Sequence, residues 1–264
     1  MDNSGQKHVV LKAERISKYY GSVVALNNVS LEINEDEVVG LVGDNGAGKS
    51  TLIKILSGNF PPDQGTIFLD GKKVNFKSPS DARSMGIETV YQDLALCEQL
   101  DAISNLFIGR ELYRNFLGFQ VLQKKEMEKM AVDVLGRIGT DFPSVHEKVA
   151  FLSGGQRQAV ALGRFIAWGK KLILLDEPTA ALGVRETSHV LDLVARTRKE
   201  KGVSMILISH NMQHVFQIAD RIIVMRHGEV VGVRERRKTT PDEIVSMITG
   251  AIFVNQEVKE EHGS

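Results

Sequence analysis

The chain has 264 residues, with 33 Lys and Arg against 33 Asp and Glu, so its formal net charge is +0 and bulk electrostatics give no reason to expect a nucleic-acid partner. With 42% hydrophobic and 25% charged residues it reads as an ordinary globular chain, long enough for one large domain with a substantial core. Its single cysteine, Cys97, excludes an intramolecular disulfide and fits a reducing compartment. No apolar run is long enough to span a bilayer, and the polar N-terminus lacks a signal-peptide core.

In chain order, residues 9–13, 29–33 and 66–69 alternate apolar and polar side chains. Turn signals such as Asp70-Gly71 separate them, which predicts a small antiparallel set of strands. The run 38–42 is apolar throughout and reads as a buried strand. A glycine-rich loop follows, then a helix from about Thr51 with Leu52, Ile55 and Leu56 on one face and Gly58 as its C-terminal cap. A strand over 87–91 precedes a stretch of different character, residues 93–149. That stretch lacks strong β runs and carries a helical pattern over 124–138, which predicts a helical insertion. Beyond it, buried-strand runs at 172–175, 205–208 and 222–225 alternate with helical stretches, notably 185–199. Strand–helix alternation predicts an α/β fold with a mainly parallel sheet. The expected layout is one domain over 7–250, with a core of 7–92 and 150–250 and flexible termini at 1–6 and 256–264.

Gly43-Asp44-Asn45-Gly46-Ala47-Gly48-Lys49-Ser50 fits the pattern G-x-x-x-x-G-K-[ST], between a buried strand and a helix. Phosphates need many donors and little bulk. Gly46 and Gly48 let backbone N–H groups turn inward, and the helix beginning near Lys49 presents its positive end. Lys49 would reach the β- and γ-phosphates, and the Ser50 hydroxyl would ligate Mg²⁺. The run 172–175 ends in Asp176-Glu177, where open α/β sheets place ligands. Asp176 would hold Mg²⁺, and Glu177 is then free to polarise an attacking water. Leu152-Ser153-Gly154-Gly155-Gln156 precedes a further helix, with Ser153 as its N-cap and two glycines that admit a phosphate. One nucleotide can occupy both loops only if two molecules face each other.

These motifs, in this order and over nearly the whole chain, resemble the ABC ATPases. The resemblance implies a P-loop NTPase (RecA-like) fold, with an N-terminal antiparallel β subdomain and an inserted helical subdomain. It extends the nucleotide contacts to Thr51. It implies that Tyr20, with Tyr19 as rival, stacks on adenine. It gives Gln92 a contact with Mg²⁺ and the water, and His210 a contact with the γ-phosphate. ATP would lie between two such domains, head to tail, with Lys49 of one and Ser153, Gly154, Gly155 and Gln156 of the other on the same nucleotide.

One departure stands out: Gly183 occupies the place where the family commonly has Asp. The segment around it is similar to ATPases of ribose, xylose and fructose importers, here in single-domain form. The implied setting is the inner face of the membrane, with transmembrane permease subunits and, indirectly, an extracytoplasmic solute-binding protein. The competing reading is a non-transport ATPase acting as a nucleotide-dependent clamp in an assembly complex. A GTPase or small-molecule kinase would leave residues 152–156 without a role. The basic run 234–238 reads as a solvated face, Trp168 as packing, and no metal-ligand cluster appears beyond the Mg²⁺ site.

Overall fold

The computed structural model describes residues 8–91, 94–139, 142–180 and 183–251. Strands β1 (Val9–Tyr20), β2 (Val23–Asn34), β4 (Gln64–Leu69) and β5 (Lys72–Val74) form an antiparallel sheet of order β2-β1-β4-β5. The predicted short strands of this region are thus segments of longer ones, bent by bulges near Arg15 and Asn28, both in the left-handed region. The central sheet has the order β12-β11-β3-β10-β9-β6. Its members are β3 (Val38–Val42), β6 (Ile87–Val90), β9 (Leu172–Asp176), β10 (Ser204–Ile208), β11 (Arg221–Arg226) and β12 (Glu229–Glu235). All pairs are parallel except β11–β12.

Every residue of β3, β9 and β10 is buried because both faces of the sheet are covered. Alternate side chains feed two different cores. Ile173, Leu175, Met205 and Leu207 join a cluster with Leu106, Phe107, Leu135 and Phe165. Leu172, Leu174, Ile206 and Ile208 join another with Leu11, Leu26, Leu52 and Ile55. The helices are α1 (Lys49–Leu56), α2 (Pro79–Ser84), α3 (Ala102–Phe107), α4 (Lys124–Ile138), α5 (Gly154–Trp168), α6 (Val184–Lys201), α7 (Met212–Ile218) and α8 (Pro241–Thr249). At the end of α1, Gly58 lies just beyond the cap residue Ser57 with φ 78°. Its N–H donates to the Ile55 carbonyl, and that of Asn59 to Lys54. This is a Schellman ending, which needs a left-handed residue at that point.

The segment 94–139 and 142–149 holds α3 and α4, but also a hairpin that the helical expectation did not include: β7 (Tyr113–Phe116) with β8 (Phe119–Leu122). Leu117 and Gly118 at its tip have φ 50° and 86°, which suits a tight two-residue turn. The flexible termini expected at 1–6 and 256–264 lie outside the described residues. Trp168 packs edge-on against Phe107 and donates its Nε1–H to the Leu106 carbonyl at 2.9 Å.

A polar network ties the antiparallel sheet to the amino ends of β3 and β11. Arg221 donates from Nε to Glu37 Oε1 at 2.8 Å and from Nη2 to Oε2 at 3.0 Å, and reaches the Glu32 carbonyl. The Glu37 carboxylate also accepts the Asn34 N–H at 2.9 Å. Asp220 accepts the Val38 N–H at 2.9 Å and pairs with Arg198. Because the Glu37 side chain is 7% exposed, removing it strands a largely buried guanidinium. Glu37→Ala is expected to lower stability by about 3 kcal/mol, read as a fall in the urea midpoint at unchanged m-value.

Candidate functional site

Strand order brings the predicted site residues to one edge. β3 lies between β11 and β10, and β10 pairs with β9, so their carboxyl ends stand side by side. Ile208 is opposite Leu41 on one side and Asp176 on the other. The loop after β3, the Asp176-Glu177 pair after β9 and Ser209-His210 after β10 therefore share one rim. Gln92 lies outside the described residues, and so does its expected role.

The loop's shape depends on its glycines. Gly43, Gly46 and Gly48 have φ 155°, 81° and 97°. A Cβ on Gly43 would stand 2.2 Å from the Met225 carbonyl oxygen, and one on Gly48 2.6 Å from that of Ala25. Gly48 is also the N-cap of α1 and offers no side chain to its first turn. The first N–H groups of a helix have no partner within it, so those of Lys49, Ser50 and Thr51 point toward the loop's mouth as donors for an anion.

Lys49 is 6% exposed, and its Nζ donates to the carbonyls of Gly43 at 2.7 Å and Asp44 at 2.8 Å. Burial pushes its pKa down, against the pull of Glu177, Asp176 and Asp44. Asp176 is held up by burial, with a Ser50 hydrogen bond and Lys49 opposing; its Oδ1 is buried without a protein partner. Glu177 has φ 53°, a left-handed conformation that is strained for a glutamate and turns the chain sharply out of the sheet. Its N–H donates to the Ile208 carbonyl at 3.1 Å. Burial raises its pKa as well, while His210 lowers it through charge and through a backbone N–H bond. The His210 Nε2 stands 3.2 Å from Glu177 Oε1, within ion-pair range but off the line of a hydrogen bond.

Tyr19 and Tyr20 are both exposed, at the end of β1. Tyr20 meets Phe60 edge-on at 6.1 Å, with Lys18 Nζ 6.0 Å from its ring. Ser153 is the N-cap of α5, and it forms a capping box: its Oγ accepts the Gln156 N–H at 3.3 Å, and its own N–H donates to Gln156 Oε1 at 2.9 Å. Gly154 is exposed, and a Cβ there would meet nothing within 4 Å, so the start of this helix is open to an approaching molecule.

Two residues escaped the sequence reading. Gln158 is 4% exposed and donates its Nε2–H to the Pro178 carbonyl, which fastens α5 to the segment after Glu177. Its signal was an amide among Ala159, Val160 and Leu162. His214 lies 3.4 Å from the Thr179 hydroxyl, with its pKa lowered by burial, and lines a cleft with Glu177, His210 and Thr187.

Because burial holds the Asp176 and Glu177 carboxyls above their unfolded range, the folded chain binds protons there more tightly than the unfolded one. Their unfavourable contribution is present at neutral pH and fades as pH falls through that raised range. Glu177→Gln is therefore expected to raise the urea midpoint of the nucleotide-free chain at pH 8, with the gain shrinking as pH falls toward the carboxylate range.

Residues 26–180 match the ABC transporter family, and residues 139–249 match a second family model, the P-loop domain of ABC ATPases. The chain is 46% identical over 240 residues to the xylose/arabinose import ATP-binding protein of Sulfolobus acidocaldarius, covering 91% of this chain and 94% of that one. It is 44% identical to the fructose import ATP-binding protein of Rhizobium meliloti, over 92% and 94% of the two chains. A ribose import ATP-binding protein of Hahella chejuensis is 39% identical, but this chain spans 48% of its length. Among solved structures, a dimeric ATP-binding cassette in a post-hydrolysis state with ADP and Pi superposes with TM-score 0.76 at 28% identity, over 87% of this chain and all of that one. A nucleotide-free cassette of an ABC transporter, 24% identical with TM-score 0.73 over 91% and 95%, shares the fold. With the phosphate loop, the acidic pair and the signature loop (residues 152–156) that opens α5 set on this framework, the chain belongs to the ABC transporter family as an ATPase domain.

Proposed function

We propose that the chain is the ATP-hydrolysing subunit of a sugar importer, working as a pair of such domains beneath permease subunits. The observation that carries the reading is the shared rim of the phosphate loop, Asp176-Glu177 and His210, in a chain whose curated relatives are named as sugar-import ATP-binding proteins. Gly43 to Ser50 and Thr51 cradle the phosphates with backbone N–H groups, and Lys49 exchanges its two carbonyl partners for β- and γ-phosphate oxygens. Tyr20 stacks on the adenine. Glu177, with its raised pKa, accepts the proton of the water that attacks the γ-phosphorus; the β–γ bridging oxygen leaves on ADP, and phosphate is released. His210 holds the γ-phosphate end from beside Glu177.

The Asp176 carboxyl, bonded to the Ser50 hydroxyl and with its Oδ1 unpartnered, is a hard-oxygen setting that fits Mg²⁺. Ser50 and Asp176, with Gln92, would hold that ion, which supplies charge neutralisation for the phosphates. Ser153, Gly154, Gly155 and Gln156 close over the nucleotide held by a second copy or a related subunit. No helix among the described residues is long and apolar enough to cross a membrane, so attachment to the inner face runs through permease subunits. A groove between β6 and the inserted segment, lined by Arg83, Glu88, Arg110, Arg164 and Trp168, suits contact with a permease loop. An extracytoplasmic solute-binding protein delivers the sugar on the far side.

Glu177→Gln is expected to lower kcat for ATP by about 10²–10³-fold with little change in ATP affinity, since it removes only the proton acceptor. Lys49→Ala is expected to weaken ATP binding at least tenfold, on the order of 1.4 kcal/mol. Steady-state turnover and titration with a fluorescent ATP analogue measure both. For the transport reading, the chain is captured from detergent-solubilised membranes of its source. Recovery of a multi-spanning permease with a sugar-binding protein supports import; recovery of soluble assembly factors alone contradicts it.

A further inference from the structure

Both strands of the β7–β8 hairpin are exposed along their length, Leu122 excepted. They pair only with each other, and a two-stranded ribbon has little stability of its own. The chain holds it by its base. There Leu112 and Leu122 pack against the core of the inserted segment, and the Gln123 N–H donates to the Leu112 carbonyl at 2.8 Å. Beyond the base, one face is apolar. Phe116 lies opposite Phe119 and Arg114 opposite Val121, and residues paired across two strands share a face. Phe116 is 55% exposed and Phe119 75%. Between them Leu117 turns the chain at φ 50° and is 84% exposed. Tight turns with both central residues left-handed favour Asn-Gly, so Leu117 is unfavourable there both for the backbone and for its contact with water. Cations surround this tip. The Arg114 guanidinium lies 5.9 Å from the Phe116 ring centre, and Lys124 and Lys125 stand exposed at the foot of the ribbon. None of the three has an ion pair among the described residues, whereas Arg110, just before the hairpin, is bonded to Glu88. Of the nearest carboxylates, Glu111 accepts the Gly109 N–H and Glu126 sits at the positive end of α4.

We propose that this hairpin is a membrane contact: Phe116, Leu117 and Phe119 enter the interface of an anionic bilayer, with Arg114, Lys124 and Lys125 at the level of its phosphate headgroups. The rings and the leucine supply apolar area, and the cations supply attraction to negative lipid. Stable attachment to a bilayer surface draws on both. Shape favours the same occupant. The tip is a projecting wedge, which a fluid bilayer accepts without a matching pocket. The proposal rests on the importer reading for the position of the membrane, since Ile108 and Arg110, which lead into the ribbon, line the groove assigned to a permease loop. The hairpin then stands beside that contact and gives the chain a second hold on the membrane, made to lipid.

The test is sedimentation of the full chain with vesicles of phosphatidylcholine alone and of a two-to-one mixture of phosphatidylcholine and phosphatidylglycerol. Partitioning to the anionic vesicles is expected to exceed that to the neutral ones by about tenfold or more, and to weaken as salt is raised. Phe116→Ser combined with Phe119→Ser is expected to lower it about tenfold, at unchanged ATP turnover and melting temperature, because no buried side chain is touched. Arg114→Gln, Lys124→Gln and Lys125→Gln together are expected to remove the preference for anionic vesicles. Phe119→Trp is expected to shift its emission to the blue on anionic vesicles and to be quenched by brominated acyl chains. Absence of wild-type binding to the anionic vesicles overturns the proposal, and ATP turnover in the same sample shows whether the ATPase reading still stands. Undiminished binding by the double Phe variant also overturns it and assigns the lipid contact to another surface. Binding confined to membranes that hold the permease overturns it as well and gives the hairpin a protein partner. Failure to capture a permease contradicts the importer reading and leaves the vesicle result as it is.

Discussion

The structure depends on how closely the backbone is pressed around the loop after β3. The Met225 carbonyl of β11 lies against Gly43, and the Ala25 carbonyl of β2 against Gly48. The Gly228 N–H donates to the Ala47 carbonyl, and the Asn27 N–H to that of Gly228. Elements from three parts of the chain thus hold the loop in a conformation that residues with a Cβ could not take. Together they fix the loop at the carboxyl ends of the parallel strands, where its backbone donors are held in place before any anion arrives.

The two ends of that sheet do different work. At the amino ends of β3 and β11, charges are paired and hydrogen-bonded: Glu37 with Arg221, Asp220 with Arg198. At the carboxyl ends, charges stay incompletely matched. Asp176 and Glu177 are both held above their normal range, Glu177 sits in a strained left-handed turn, and Asp176 Oδ1 has no protein partner. Unmatched buried polar atoms cost stability unless something else satisfies them. The cost is concentrated where a substrate with many oxygens and a counter-charge would relieve it, which is the economy expected of an active site.

Much of this was legible in the sequence because it rests on local chemistry. Buried strands 38–42 and 172–175 announce themselves as apolar runs, and the glycine spacing of the phosphate loop admits few other uses. The Schellman glycine at 58 and the cap at Ser153 follow from the needs of helix ends. The hairpin of β7 and β8 was hidden because its strands are four residues long and mostly exposed, so no periodic burial marks them. Gln158 was hidden for another reason: it acts on another element, at the Pro178 carbonyl, and sequence spacing does not show which face meets which. The left-handed turn at Glu177 likewise arises from the sheet's edge and not from the residue's own preference.

The central claim is that the phosphate loop and the signature loop are halves of one site divided between two copies. The direct measurement is the solution mass of the Glu177→Gln chain by size-exclusion chromatography with light scattering, with saturating Mg²⁺-ATP and with ADP. The account predicts twice the chain mass with ATP and the single chain mass with ADP. A single chain mass in ATP, with nucleotide binding verified in the same sample, would contradict it.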